Sequence, residues 1–275
     1  MGLHKFSVSM CVYGKDNPVY FKQAVESIIN QTVEPSEVVI VVDGPVPEEL
    51  GLIIENYEKN PKFKIIRLEK NQGHGVARRT GLDNCSNEFV ALMDADDLSV
   101  QNRFELQLQE FEKNSNLDIV GGNITEFVDN PENIVGKRIV PELDVQIKAY
   151  LKRRCPMNQV TVMFKKASIL KVGGYIDWYC DEDYYLWNRM FLANMTFGNV
   201  PKILVNVRVG KDMYKRRGSW KYFKSETKLQ WFMFRNRIIS LPMYIYNVAI
   251  RFCLQVLMPN WLRGFVFQRF ARVKS

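Results

Sequence analysis

Three carboxylates follow a short apolar segment in the first half of the chain. Residues 89–93 are apolar without interruption, which predicts a strand buried on both faces of a parallel sheet, and Asp94, Asp96 and Asp97 come directly after it. Like charges this close oppose one another's ionisation. A hard divalent cation, Mg²⁺ or Mn²⁺, would relieve that conflict and complete its shell with phosphate oxygens. An acidic turn that caps a helix near Ser99 would fit the spacing equally well.

Two further acidic positions suit the same chemistry. A β-branched run at residues 37–42 predicts a second buried strand, which ends at Asp43. Ligands bind at the carboxyl ends of strands in open α/β sheets, so the two strand ends mark a candidate site. Asp181, Glu182 and Asp183 open a predicted helix at 181–195. Acids there suit the positive end of the helix dipole, and the same position would keep a carboxylate ionised as a general base.

A glycine-rich loop, NQGHGVARRTG at residues 71–81, leads into another predicted helix. Its glycines have neither the G-x-G-x-x-G spacing of a dinucleotide fingerprint nor the G-x-x-x-x-G-K-[ST] pattern of a P-loop. Arg78 and Arg79 in the first turns of that helix could hold a nucleotide base or phosphate, or could lie on a solvated basic face. His74 is expected to be a polar residue of this loop or a contact to the bound ligand, not a catalyst.

The elements that position these residues form a β-α-β-α-β-α-β series. Strands alternating with helices at this spacing predict a parallel, doubly wound sheet. The predicted strands of the series are 6–13, 37–42, 63–68 and the segment before Asp94, with helices at about 17–31, 47–60 and up to Cys85. The less regular remainder is predicted as a helix at 100–114, strands at 117–122 and 124–128, a loop at 131–141, a helix at 145–153, and strands at 160–164 and 203–209.

Length and composition fit one large domain or two small ones with an ordinary core, since the chain has 275 residues and 47% hydrophobic content. The five cysteines are scattered and have no C-x-x-C spacing. This argues against a disulfide framework and a zinc site and favours a reducing compartment. The N-terminal segment carries no apolar signal, so a cytoplasmic protein is expected.

Positive charge is concentrated at the C-terminal end. Residues 1–210 hold 24 Lys and Arg against 28 Asp and Glu, whereas residues 211–275 hold 14 against 2. Polar residues interrupt the apolar stretch 238–258, so a membrane-spanning helix is not expected. Interleaved aromatics and arginines predict helices in the headgroup layer of an anionic membrane, or a helical hairpin packed on the rest of the chain with solvated arginines. No nucleic-acid-binding motif accompanies them, and no nucleic-acid partner is expected.

Seven segments resemble, in order and spacing, the family 2 glycosyltransferases of bacterial capsule and O-antigen synthesis, which have the GT-A fold. They lie within residues 6–195 and are SVSMCVYGKD, VVIVVDGP, LEKNQGHGVARRTG, FVALMDADDLSVQNRFELQLQEF, PMNQVTVMFKK, VGGY and DEDYYLWNRM. The run DMYKRRGSWKYFKSE at 212–226 is similar to the tail of one polysaccharide subgroup. The resemblance implies an α/β fold with a doubly wound, mostly parallel central sheet flanked by helices, and a basic, aromatic helical extension.

The resemblance implies an inverting transferase. It would move a sugar from a nucleotide-diphosphate sugar, of the UDP type, to a hydroxyl of a lipid-diphosphate-linked saccharide in cell-surface polysaccharide synthesis. The catalytic domain would be 1–210, with a nucleotide-sugar half at 1–98 and an acceptor half at 99–210. The tail, 211–275, would hold this cytoplasmic enzyme peripherally on the anionic inner face of the cell membrane.

The resemblance also assigns roles to the residues at the donor site. Tyr13 would stack near the uracil-type base, Asp43 would accept the N3–H of that base, and Arg78 would lie beside it. Asp94 would lie near the ribose. Asp96 would be the direct ligand of the Mn²⁺ or Mg²⁺ that binds the diphosphate.

On the acceptor side, Asp183 matches the acid of the family's E-D motif and would be the general base that takes the proton of the acceptor hydroxyl. The chain departs from the family at Arg79, where an Asn is usual, and at Gln159, where a related subgroup has His. A sugar-nucleotide-binding scaffold of the same fold without activity is the alternative function. A nucleotidyltransferase would bring a glycine-rich loop after the first strand, where this chain has YGKDNP.

Overall fold

A nine-stranded sheet forms the centre of the computed structural model, which describes residues 5–210 and 219–259. The elements of its first half are β1 Phe6–Tyr13, α1 Pro18–Ile29, β2 Glu37–Asp43, α2 Glu48–Glu58, β3 Phe63–Leu68, α3 His74–Asn84 and β4 Phe89–Asp94. The strands lie in the order β3-β2-β1-β4, and the three pairings among them are parallel. The predicted β-α-β series is therefore confirmed.

Helices cover both faces of this half, because alternate residues of a strand point to opposite sides. In β4, Phe89 and Met93 join the hydrophobic cluster that contains residues of α1 and α2, whereas Val90 and Leu92 join the cluster that contains Leu82 of α3. This two-sided burial explains why β4 is an apolar run and not an alternating one.

The start of α1 follows directly from two adjacent residues. The Asn17 side chain accepts hydrogen bonds from the backbone N–H groups of Val19 and Tyr20, and Pro18 occupies the first helical position, where no N–H is needed. An Asn cap of this kind stabilises a helix by about 1 kcal/mol relative to Ala.

The second half of the sheet mixes parallel and antiparallel pairings. Its elements are β5 Leu98–Ser99, α4 Arg103–Lys113, β6 Ile119–Phe127, β7 Ile134–Arg138, α5 Asp144–Leu151, a 3₁₀ turn Gln159–Thr161, β8 Met163–Lys165, α6 Lys166–Lys171, α7 Glu182–Leu192 and β9 Phe197–Arg208. Strand β8 runs antiparallel between β4 and β6, and β6 pairs in parallel with β9. Strand β8 thus joins the two halves into one sheet.

Several predictions for this half are wrong. The two strands predicted at 117–122 and 124–128 are the single strand β6, in which Gly122 lies so close to Leu204 that a Cβ would approach the leucine Cδ1 to 2.5 Å. The predicted loop at 131–141 contains β7, which gains its hydrogen bonds from β6. Antiparallel pairing with the preceding strand makes these residues extended, although the local sequence indicated a loop.

The last two predicted strands are also displaced. The strand predicted at 160–164 begins as the 3₁₀ turn, because the Thr161 hydroxyl bonds back to the carbonyl of Asn158 and the chain becomes extended only at Met163. The strand predicted at 203–209 starts earlier, at Phe197. Pro201 lies where the register of β9 against β6 shifts, a position that tolerates proline.

The described part of the C-terminal extension is a helical hairpin packed on the sheet domain. It comprises α8 Trp220–Arg235, α9 Leu241–Phe252 and a π-helical turn Cys253–Leu257. Leu229 and Met233 of α8 lie in the same hydrophobic cluster as Trp187 of α7. Arg251 is not solvated as the hairpin interpretation expected, since its Nε lies 3.2 Å from Glu226 Oε2.

Some predictions fall outside the described residues. These are the N-terminal residues 1–4, residues 212–218 of the subgroup similarity, and the arginines and aromatic residues beyond position 259. Across residues 5–210 and 219–259, no helix combines the length and apolar character needed to cross a bilayer.

Candidate active site

Three neighbouring strands end at one edge of the sheet, and most of the predicted donor residues lie there. Tyr13 at the end of β1 is in register with Asp43 at the end of β2, and Cys11 of β1 is in register with Asp94 at the end of β4. Tyr13 is 41% exposed, so its ring faces solvent at this edge. The structure therefore brings these residues together, as the strand pattern predicted.

Asp43 anchors the glycine loop. Its side chain is buried and accepts hydrogen bonds from the backbone N–H groups of Gln72, at 2.7 Å, and Gly73, at 3.1 Å. Gly73 has φ of 90°, a left-handed conformation that glycine adopts without strain, and α3 begins at the next residue. Each carboxylate oxygen has a further lone pair, so contact with a nucleotide base stays a prediction for Asp43.

Arg78 connects this loop with the β4 carboxylates. The guanidinium is buried, its Nη2 donates to Asp94 Oδ1 at 2.7 Å, and its Nε donates to His74 Nε2 at 3.0 Å. Burial opposes the charge, but the carboxylate of Asp94 and weaker neighbours raise the pKa of Arg78 above its ordinary value. Arg78 is therefore a buried, charged side chain that is paired with Asp94.

The three carboxylates after β4 have different surroundings. Asp94 pairs with Arg78, and its side chain remains 33% exposed. Asp97 is buried and accepts the backbone N–H of Arg208; burial, then the charges of Asp96 and Asp94, raise its pKa well above the usual range. Asp96 is exposed. The solvent side of the cluster is thus formed by Asp94 and Asp96, while Asp97 joins the turn to β9.

Sequence reasoning missed a further acid, Asp16, in the turn after β1. Its Oδ2 accepts the backbone N–H of Tyr13, which holds the turn closed. Burial raises the pKa of Asp16 to about 6; the Tyr13 N–H opposes this, and the charges of Asp96 and Asp94 add to it. The available signal was weak, because a single Asp in a turn is ordinary.

This acidic edge fits a divalent cation that arrives with a phosphate ligand. Three negative side chains influence one another here, and carboxylate oxygens are the ligands that Mg²⁺ and Mn²⁺ prefer. Within residues 5–210 and 219–259, no three His, Cys, Asp or Glu side chains are arranged to hold a metal ion. A cation would therefore take most of its ligands from a bound diphosphate and from water.

Asp183 lies in the first turn of α7, where the acid pattern predicted it. Burial, then the charge of Glu182, raises its pKa to about 6, and the Tyr184 N–H, Arg78 and Arg138 act in the opposite direction. Cys155 Sγ lies 3.8 Å from Asp183 Oδ2. A carboxyl with this pKa is mostly ionised at neutral pH and still accepts a proton readily, as a general base must.

Hydrogen bonds join the acid-bearing helix to the strand edge. His74 Nδ1 lies 2.9 Å from Glu182 Oε1, and Arg78 bonds to both His74 and Asp94. Arg78 is close enough to lower the pKa of Asp183 as well. A series of hydrogen bonds thus joins Asp94 at the end of β4 to Glu182, the residue before Asp183.

The two positions that depart from the family pattern have local partners. Gln159 donates to the hydroxyl of Tyr175 at 3.1 Å, in the 3₁₀ turn before β8. Arg79 is exposed and lies 3.8 Å from Asp83, one helical turn away. Arg79 therefore lies on the solvated face of α3, away from the Arg78 pairing.

With this geometry, the comparison with known families is decisive. The model of the family described as glycosyl transferase family 2 matches residues 7–173. The chain belongs to this family. The family predicted from the seven segments is confirmed.

Two relatives of this family 2 chain align with most of its length. It is 38% identical over 270 residues, 98% of this chain and 97% of the relative, to a UDP-Gal:alpha-D-GlcNAc-diphosphoundecaprenol beta-1,3-galactosyltransferase of Escherichia coli. It is 34% identical, over 82% of this chain and 84% of the relative, to the amylovoran biosynthesis glycosyltransferase AmsE of Erwinia amylovora.

A solved structure supports the fold. The crystal structure of S. aureus TarS 1-349 in complex with UDP-GlcNAc superimposes with a TM-score of 0.67, covers 98% of this chain and 76% of that chain, and is 17% identical. At that identity the likeness establishes the fold alone. The predicted GT-A architecture with a C-terminal helical region is confirmed.

Proposed function

We propose that this family 2 glycosyltransferase moves galactose from UDP-galactose to a hydroxyl of a lipid-diphosphate-linked N-acetylglucosamine in cell-surface polysaccharide synthesis. The observation that carries a sugar-nucleotide reaction is the hydrogen-bonded connection from Asp94 through Arg78 and His74 to the helix of Asp183. The choice of sugars is supported by the activity for which the E. coli relative is named, since that relative matches nearly the whole chain.

The reaction is a single displacement with inversion. As the acceptor oxygen forms its bond to the anomeric carbon, Asp183 takes the hydroxyl proton and the bond from that carbon to the UDP oxygen breaks. One carboxylate is enough for this role, and a pKa of about 6 leaves Asp183 about nine-tenths ionised at pH 7.

On the donor side, Tyr13 stacks on the uracil ring, Asp43 accepts its N3–H, and Arg78 fixes the Asp94 carboxylate near the ribose. Asp96 would hold the Mn²⁺ or Mg²⁺ that accompanies the diphosphate. When bound, the cation offsets the charge that builds on the leaving UDP.

The C-terminal hairpin supplies a membrane-facing surface, because α9 is amphipathic with its apolar side outward. Asn247 is 3% exposed and bonds to the Lys152 carbonyl and to Gln230, whereas Ile245 and Tyr246 are 58% and 59% exposed. The exposed apolar side chains of α9 are Leu241, Ile245, Tyr246 and Ile250, and Leu257 of the π-helical turn is exposed as well. Together with the net positive charge of residues 211–275, this face fits the interface of an anionic inner leaflet, where the lipid-linked acceptor lies.

The reaction is tested with purified protein, Mn²⁺ and a synthetic GlcNAc-diphosphate lipid. UDP-galactose is compared with UDP-glucose, UDP-GlcNAc and GDP-mannose, and the product is followed by mass spectrometry. Wild-type protein should form a galactosylated lipid, and Asp183→Asn should lose at least about 100-fold in rate, the contribution of a general base. Transfer from GDP-mannose only, or full activity of Asp183→Asn, would contradict the proposal.

The membrane surface is tested by sedimentation with vesicles containing phosphatidylglycerol. Ile245→Glu should release the protein, and the matched control Leu52→Glu on α2, whose leucine is 60% exposed, should not. Point substitutions are preferable to removal of the tail, because Leu229 and Met233 complete the hydrophobic core under α8. Equal sedimentation of the wild type and Ile245→Glu would exclude this face.

A further inference from the structure

His74 occupies an unusual position for a half-exposed loop histidine. It is the first residue of α3, and the two residues before it are held by the Asp43 carboxylate. From there its ring reaches Glu182, the first residue of α7, 108 positions later in the chain. The His74 side chain is 52% exposed, while that of Glu182 is only 12% exposed.

The hydrogen bonds of His74 indicate which of its two ring nitrogens carries the proton. Arg78 Nε can only donate, so His74 Nε2 must be the unprotonated acceptor in the 3.0 Å contact between them. In the neutral imidazole, Nδ1 then carries the proton and donates to Glu182 Oε1 at 2.9 Å. Arg78 also donates to Asp94, so an ordered series of donors and acceptors runs from Asp94 to Glu182.

Close packing supports the same junction. A Cβ on Gly75, the residue after His74, would approach Asp177 Cα to 3.0 Å. The first turn of α3 therefore lies directly against the segment that leads into α7. A side chain at position 75 would push the two helix starts apart.

We infer that His74 is a positioning residue, whose hydrogen bond to Glu182 holds the first turn of α7, and with it Asp183, in place relative to the donor-binding edge. Asp183 is the next residue after Glu182, so any movement of the Glu182 backbone is passed to the proposed base. The inference rests on the proposed function for the role of Asp183. It assigns to His74 no contact with donor or acceptor and no proton transfer.

The competing role is direct contact with the donor, which the exposure of the ring would permit. The two roles differ in what they change. Loss of a positioning contact lowers kcat and leaves nucleotide affinity unchanged, whereas loss of a donor contact weakens UDP binding by the same factor as it weakens the reaction.

Three substitutions separate the two hydrogen bonds of the ring. His74→Asn places an amide N–H where Nδ1 lies and retains the bond to Glu182. His74→Gln places its amide oxygen near the position of Nε2, so it retains only the hydrogen bond from Arg78. His74→Ala removes both.

The expected result is a loss of about tenfold in kcat for His74→Ala and His74→Gln, with UDP affinity, measured by calorimetry, within twofold of wild type. His74→Asn should recover most of kcat. Wild-type kcat in His74→Ala, a parallel loss of UDP affinity, or equal rates for His74→Asn and His74→Gln would overturn the inference.

A second measurement needs no activity and so separates this inference from the proposed reaction. In a double-mutant cycle of His74→Ala and Glu182→Ala, followed by urea unfolding, the two effects should be non-additive by about fivefold or more in the unfolding equilibrium constant. Additive effects would show that the contact does not couple the two helices, whatever substrates the enzyme uses.

Discussion

The acid limb of the pH–rate profile follows from the surroundings of Asp183. Its pKa of about 6 makes the carboxyl about one-tenth ionised at pH 5 and about nine-tenths ionised at pH 7. Because only the ionised form accepts the acceptor proton, kcat/KM for the acceptor should fall about tenfold between pH 7 and pH 5. Measuring this pH dependence at saturating donor separates the ionisation of the base from any effect of pH on donor binding. Because the pKa of Asp16 is also about 6, Asp16→Asn is the control, and its pH–rate profile should retain the same acid limb.

The cause of the raised pKa can be tested in the same assay. After burial, the charge of Glu182 is the largest influence that raises the pKa of Asp183. Glu182→Gln removes that charge, so the limb should move to lower pH and activity should persist further into acid, although the maximal rate falls. A limb that stays at pH 6 in Glu182→Gln, or a wild-type rate that is flat from pH 5 to pH 7, would refute this assignment of the base.

Two other substitutions test the donor side. Arg78→Met breaks the ion pair with Asp94 and should lower the free energy of unfolding in urea by about 2–3 kcal/mol. This is below the range for fully buried pairs, because Asp94 is one-third exposed. The control Arg79→Met, at the exposed neighbouring residue, should change the free energy of unfolding by no more than about 0.5 kcal/mol. Asp96→Asn should raise the Mn²⁺ concentration for half-maximal activity about tenfold with an unchanged melting temperature, and an unchanged Mn²⁺ requirement would exclude Asp96 as a ligand.

The first half of the fold was predictable because each element is specified locally. Strands β2 and β4 are β-branched or apolar runs, and Asn17 and Pro18 mark the start of α1 with their own hydrogen-bonding properties. The second half depends on tertiary pairing. Strand β7 contains Gly136 and Lys137 and has no strand pattern of its own, so only its contact with β6 makes it extended.

The same distinction applies to the candidate site. Asp43, Asp94 and Asp96 were predictable because strand ends in a parallel sheet meet at one edge. The contact between His74 and Glu182 was not, since it joins the starts of two helices that are far apart in sequence, and no local pattern encodes such a pair. Asp16 was missed for a related reason, because only its proximity to Asp94 and Asp96 distinguishes it from any other turn residue.

A crystal structure of the enzyme with UDP and Mn²⁺ tests most directly whether the strand-end acids and Asp183 serve one reaction. Uracil is expected beside Tyr13 and Asp43, the metal between Asp96 and the diphosphate, and the β-phosphate directed toward Asp183. A nucleotide bound away from the ends of β1, β2 and β4, or a diphosphate separated from Asp183 by the body of α3, would contradict it.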